Sequence, residues 1–285
     1  MVLSLHEYLR SGRTLSYVLT LALLAGLYAC LPILKEMTSY RGLGDTPPEL
    51  HAALSLVVGW LLVFRTNTAH ARWWEARTLW GALVNASRNL GLKLTRLGTI
   101  PAEDLAYSRL LLTEFPIALK MHLRGEASSQ QVLQACGLPT DQPHVPLAIS
   151  TALYQQIGTW RKNGAIDGDE LRVIDAELAK LMEICGGCER IQRTRIIGSY
   201  RVFARQCVLL FLVTLPWGIV QDFGWWTAPL TALTAYFMLG MEIVAEHVEE
   251  PFGYDDDDLD LDSLCRTIDQ SLASIFSAPP SSVVN

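Results

Sequence analysis

Long apolar runs alternate with helix-periodic polar segments along this chain. The first run, Leu15–Leu34, carries no charged residue, and the second, Leu50–Ala71, turns polar in its last third. Two further runs, Cys207–Val220 and Thr227–Ala245, are separated by a short polar link. At about 1.5 Å per residue, the two longest runs reach across the ~30 Å hydrocarbon core of a bilayer. The pattern predicts four transmembrane helices.

The region between the second and third runs is typical of amphipathic helices. Its apolar residues recur at i, i+3 and i+4, and no alternating strand pattern interrupts them. We therefore predict an all-α membrane protein with a helical cytoplasmic domain. The predicted segments are residues 1–71 with the first two spans, 72–205 with the cytoplasmic domain, 206–246 with the last two spans, and 247–285 with an acidic end.

Charge predicts the orientation and excludes one class of partner. Most lysines and arginines fall between residues 72 and 205, which places that region and the N-terminus in the cytoplasm. Four spans then put both termini of this multi-pass protein on the cytoplasmic side. Half of the residues are hydrophobic, 18% are charged and the net charge is −6, so we expect no nucleic-acid partner. The six cysteines form no secreted disulfide framework.

Three bulky residues form one stripe on the second predicted span. Leu56, Trp60 and Phe64 follow at i, i+4 and i+8, a spacing that places them on the same helix face. This stripe has two interpretations: a packing face between membrane helices, or a pore wall with a narrow apolar neck. The polar residues after Phe64 favour a helix with one side towards water.

Two clusters invite a metal interpretation. Asp255–Asp258 offers carboxylates suited to a hard cation such as calcium, which prefers six to eight oxygen ligands. The alternative is a solvated acidic start of a helix, where carboxylates are favourable. Cys185 and Cys188 form a single CxxC motif without a second pair or a histidine at zinc-site spacing, so structural thiols are favoured there.

Two motifs together resemble the bestrophin family. The first is Phe64-Arg65-Thr66-Asn67 continuing through Arg72-Trp73-Trp74-Glu75-Ala76-Arg77 to Trp80-Gly81, and the second is Glu250-Pro251-Phe252-Gly253 with the aspartates after it. The order of spans, helical block, spans and acidic segment also matches. The resemblance extends to about residue 275 and is strongest to the shorter, bacterial-type members.

The resemblance implies a homopentameric ion channel whose single central pore is lined by the second helix of each subunit. The family's neck positions fall on Leu56, Trp60 and Phe64, and its cytosolic aperture falls on Ile196. Trp60 departs from the Ile or Phe of relatives. Bacterial relatives have prolines on both sides of the aperture residue, where this chain has Arg195 and Ile197.

The resemblance also implies a calcium site in which Asp255 and Asp258 are the side-chain ligands, although Tyr254 replaces an acidic residue of the family. No organic cofactor is expected. Near the aperture, Arg193 and Arg195 add positive charge, which favours anions. The alternative for these arginines is an ion pair with Glu189 or another surface acid.

We therefore predict a pentameric channel of the inner membrane that passes chloride and other monovalent anions and is influenced by calcium. One alternative is a monovalent-cation channel for sodium or potassium on the same scaffold. A second is a membrane enzyme that uses a metal and the carboxylates between Glu242 and Asp258. A third is a membrane scaffold that conducts no ions.

Overall fold

The computed structural model describes residues 5–40, 44–126, 129–194, 197–255 and 257–277. These residues form α-helices and turns without a strand, so the prediction of an all-helical protein is confirmed. The helices are α1 (Leu5–Tyr28), α2 (Cys30–Glu36), α3 (Pro48–Arg96), α4 (Ala102–Arg124), α5 (Ser129–Ala135), α6 (Val145–Lys162), α7 (Gly168–Arg193), α8 (Gly198–Phe223), α9 (Thr227–Glu249) and α10 (Leu261–Ser277).

Three described stretches are long and apolar enough to cross a membrane. They are Leu15–Glu36, Pro48–Arg96 and Gly198–Glu249. The third stretch contains both α8 and α9, which a 3-10 turn at Gly224–Trp226 separates. Gly224 has a φ of 51°, a backbone conformation that glycine adopts without a steric penalty, and this lets the chain reverse. The number of membrane crossings stays a prediction.

The second span and the helix after it are one element. The sequence predicted a membrane span over Leu50–Ala71 and an amphipathic helix after it that ends at Gly98, and α3 unites both in 49 residues from Pro48 to Arg96. No proline lies inside α3, and its glycines do not break it. The helix ends before Gly98. This glycine has a φ of 72°, and its backbone N–H donates to the Glu170 carboxylate at 2.8 Å, so the chain leaves the helix here.

The chain divides into two compact units, and the division falls inside α3. The first unit comprises Met1–Trp73 and Arg195–Asp258, and the second comprises Trp74–Thr194 and Leu259–Asn285. These units combine segments that are distant in sequence. The four consecutive segments predicted from the sequence stay a prediction.

Aliphatic and aromatic side chains from α1, α3, α8 and α9 form the core of the first unit. Its buried members are Ala22, Val58, Leu62, Val208, Phe211, Leu212, Leu215 and Ala235. Small residues bring helices together: a Cβ added to Gly26 of α1 would lie 3.0 Å from Ala232 Cβ of α9. Gly218 of α8 likewise leaves room for the buried ring of His51, which begins the packed part of α3.

The second unit is a helical bundle with two buried tryptophans, Trp80 and Trp160. Trp160 donates its indole N–H to the Asp104 carboxylate at 2.7 Å, which satisfies the polar group in the core. Asp167 begins α7 with a capping box, in which its side chain accepts the backbone N–H of Glu170 while Glu170 bonds back to Asp167. The capping box therefore satisfies backbone N–H groups at the first turn of α7.

Candidate functional site

The stripe of large apolar residues on α3 is exposed on the surface of the single chain. Leu56, Trp60 and Phe64 have exposed fractions of 66%, 59% and 55%. The rings of Trp60 and Phe64 lie 5.6 Å apart between centroids and are tilted by 41°. An exposed apolar stripe of this size needs a cover, which is lipid, another protein surface or the wall of a narrow pore.

The opposite face of α3 is packed into the first unit. Val58 and Leu62 are buried against residues of α8, so the helix has one face in the core and the stripe on its outside. The hydroxyl of Thr68 continues the stripe one turn beyond Phe64 and donates to the Phe64 carbonyl at 2.8 Å. The exposed side chain of Asn67 lies beside it. The face therefore changes from apolar to polar along the helix.

Arg65 is not on this face, although the sequence suggested that the polar residues after Phe64 lie towards water. Its side chain is 1% exposed and forms an ion pair with Glu242 of α9, which is also buried. A charge inside an apolar unit is stabilised only by a partner of opposite charge and by hydrogen bonds. The sequence indicated that each charge needs a partner, because each residue is the single charged residue of a predicted membrane span, but it did not identify the partner.

The ion pair extends into a short network. Arg205 of α8 donates its Nε–H to the same Glu242 oxygen at 2.9 Å and also pairs with Glu246. Three helices of the first unit, α3, α8 and α9, are thus joined by alternating charges. These ion pairs engage Glu242 and Glu246, two of the carboxylates that the enzyme alternative assigned to a metal.

The arginine proposed for selectivity is placed at the end of α7. Arg193 has an exposed side chain and lies 3.6 Å from a Glu189 oxygen, the ion-pair arrangement that was the alternative for this residue. Ile196, the expected aperture residue, and Arg195 lie outside the described residues. The roles of all three in ion passage stay predictions.

The acidic run forms a tight turn after α9. The Asp258 carboxylate accepts the backbone N–H of Asp255 at 2.6 Å, and the Asp258 N–H donates to the Asp255 carbonyl at 3.1 Å. Gly253 allows the Asp258 carboxylate to approach closely, because a Cβ there would lie 2.7 Å from Asp258 Oδ2. The Asp255 side chain is exposed. The turn thus holds the Asp255 backbone against the Asp258 carboxylate, and the segment contains hard oxygen donors of the kind that calcium prefers.

Comparison with known proteins identifies the family. The family described as Bacterial/Fungal Bestrophin protein matches residues 4–274. This chain belongs to the bestrophin family. The resemblance that the two sequence motifs suggested is therefore confirmed over nearly the whole chain.

Curated relatives of this bestrophin are named as channels. A voltage-dependent anion channel-forming protein of Nostoc sp. is 32% identical over 278 residues, which cover 94% of this chain and 89% of the relative. One of Synechocystis sp. is 30% identical over 271 residues, covering 91% and 88%. The crystal structure of a bacterial bestrophin homologue from Klebsiella pneumoniae matches with a TM-score of 0.82 at 28% identity, covering 91% of this chain and 98% of that one. The chain is therefore a membrane protein with the bestrophin fold.

Removing one partner of the buried ion pair is expected to destabilise this bestrophin. Arg65→Met leaves Glu242 as a buried carboxylate with one arginine fewer, and breaking such a pair costs about 3–5 kcal/mol. The double variant Arg65→Met, Glu242→Met removes both charges and should recover most of the loss. Thermal unfolding of the purified protein in detergent measures both effects.

The exposed pair of Arg190 with Glu75 is the control for that experiment. Arg190→Met should lower the unfolding free energy by less than about 1 kcal/mol, since exposed ion pairs contribute little. If Arg65→Met were as mild as Arg190→Met, the buried pair would not be a main contributor to the stability of the protein.

Proposed function

We propose that this chain forms an anion channel as a homopentamer, with α3 of each subunit lining one central pore. The observation that carries the proposal is the exposed stripe of Leu56, Trp60 and Phe64 in a chain whose relatives are named voltage-dependent anion channel-forming proteins. These names also support a channel rather than an enzyme.

Assembly gives the stripe its cover. Four spans in one chain enclose no aqueous passage, whereas a closed ring of subunits does, and every residue facing the axis then occurs once per subunit. The stripe would form a narrow apolar neck, with Trp60 and Phe64 as its bulkiest rings. Ring edges carry partial positive charge and suit anions, and an apolar constriction also allows gating by dewetting. Chloride and other monovalent anions are the proposed permeant ions.

A second constriction is proposed on the cytosolic side. Ile196 forms it, and Arg193 and Arg195 add positive potential beside it, which attracts anions. In this orientation both termini are cytoplasmic and the protein lies in the inner membrane. The apolar parts of Leu15–Glu36, Pro48–Arg96 and Gly198–Glu249 cross the bilayer, and the predicted helical domain of residues 72–205 lies in the cytoplasm.

Calcium is proposed to bind at the acidic turn. Asp255 and Asp258 would supply side-chain oxygens, and backbone carbonyls near them would add further ligands of the same hard type. Calcium bound there would neutralise part of the negative charge of the aspartate run. The turn follows α9 directly, so an ordered turn would fix the end of the helix that holds Glu242 and Glu246.

Reversal potentials in asymmetric salt test the proposed selectivity. With purified protein in planar bilayers and a tenfold sodium chloride gradient, the current should reverse near the chloride equilibrium potential. The physical reason is that the positively polarised edges of the aromatic rings and the charges of the arginines attract anions along the pore. Reversal near the sodium equilibrium potential would instead identify the monovalent-cation channel, and liposomes that pass no ions would identify a scaffold.

Trp60→Ala is expected to raise the single-channel conductance severalfold, because it removes the widest ring from the neck in every subunit. Single-channel recording in symmetrical chloride measures this change. Phe237→Ala is the matched control: Phe237 of α9 is equally exposed, at 60%, but it lies off the α3 stripe. Equal conductance of Trp60→Ala and the unmodified channel would argue against a neck at this position.

Asp255→Asn is expected to weaken calcium binding by about tenfold or more, since it removes a charged oxygen ligand. Calorimetric titration with calcium chloride measures the affinity without recording currents. Asp257→Asn, which removes the same charge from the same run, should have a smaller effect. Identical affinities of both variants would show that the run acts through its net charge and not as a ligand set.

A further inference from the structure

Three metal-ligating side chains from three helices meet in the second unit. His122 lies in the last turn of α4, His144 is the N-cap of α6, and Glu189 lies near the end of α7. Their ligand atoms all lie within 4.8 Å of one another. Among the described residues they are the one group of three metal-ligating side chains that lie this close together. The sequence motifs did not predict it, because the three residues are far apart in the chain.

Both histidines use the same carboxylate oxygen. His122 Nε2 lies 2.6 Å and His144 Nε2 lies 3.1 Å from Glu189 Oε1. The two imidazole rings are stacked, with 4.4 Å between centroids and 23° between planes. Two Nε2 atoms and one carboxylate therefore converge on one point, which is the arrangement of a three-ligand site and also of a hydrogen-bonded triad without metal.

The donor atoms of the cluster suit a divalent cation. Glu189 places a carboxylate oxygen between the Nε2 atoms of two imidazoles. Two neutral histidines and one carboxylate are ligands that zinc accepts, with a water as the fourth ligand.

The distances leave room for such an ion after a small adjustment. Zinc bonds to histidine nitrogen and carboxylate oxygen at about 2.0–2.2 Å, which places tetrahedral ligand atoms roughly 3.3 Å apart. The two Nε2–Oε1 separations would have to open by less than about 1 Å. All three side chains are partly exposed, so an ion has access from solvent.

Metal binding would change the hydrogen bonds of His144. Its Nδ1 accepts the backbone N–H of Leu147 at 3.2 Å, so the neutral ring carries its proton on Nε2 and donates it to Glu189. A metal at Nε2 requires the other tautomer, with the proton on Nδ1, and the Leu147 cap is then given up. The apo triad and the metal-bound site thus differ at the first turn of α6.

We propose that His122, His144 and Glu189 form a binding site for a divalent cation of the zinc class, which joins α4, α6 and α7. The site is separate from the acidic turn, whose all-oxygen donors suit calcium instead. Zinc binding would compete with Arg193 for Glu189, since Arg193 lies 3.6 Å from the same oxygen. The proposal concerns binding alone and does not depend on ion conduction.

Titration of the purified, chelator-treated protein with zinc chloride tests the site, with a competing zinc dye to measure the affinity. One ion per chain is expected. His122→Gln and Glu189→Gln should each weaken binding more than about tenfold, because loss of a direct ligand exceeds the effect of losing a supporting hydrogen bond. Circular dichroism of each variant establishes that the helices are intact, and His122→Gln spares the α6 cap.

Two controls separate this site from other ligands. His70→Gln changes an exposed histidine of α3 and should leave the affinity unchanged. Cys185→Ser should also retain the ion, since burial raises the pKa of this thiol to about 12 and keeps it protonated. Cobalt in place of zinc should give a tetrahedral spectrum without a thiolate charge-transfer band. No stoichiometric ion, or an affinity that His122→Gln and Glu189→Gln leave unchanged, would overturn the proposal.

Discussion

The cost of burying charge fixes how the pore-lining candidate α3 is rotated. Arg65 follows Phe64 directly, so the two side chains point about 100° apart around the helix. Arg65 has to reach Glu242, which is 177 residues away in the chain, because an unpaired guanidinium inside an apolar unit is strongly unfavourable. When that ion pair is made, Leu56, Trp60 and Phe64 are left on the outer face. The ion pair on the packed face of α3 thereby determines which apolar residues lie on its exposed face.

The two units use polar residues differently. In the first unit, Arg65, Glu242, Arg205 and Glu246 form one network of charges beside an aliphatic and aromatic core. In the second unit, polar residues are used for caps and for links between helices, such as the Asp167 capping box and the Trp160–Asp104 hydrogen bond. The exposed apolar surface of the first unit suits a membrane.

The family relationship and the details of this chain carry different information. The bestrophin fold follows from the match over residues 4–274, and the relatives' names indicate anion passage. Trp60 and the cluster of His122, His144 and Glu189 are details of this chain that the family match by itself does not describe.

The sequence by itself determined what depends on near neighbours in the chain. Apolar runs and helical periodicity predicted the helices, and the spacing of Leu56, Trp60 and Phe64 placed them on one face, because helix geometry repeats within a few residues. The tertiary structure alone decided what depends on distant partners: that α3 is continuous, that Arg65 is buried with Glu242, and that two histidines meet Glu189. Such pairings follow from how helices pack, and local patterns do not encode which of several distant charges will be the partner.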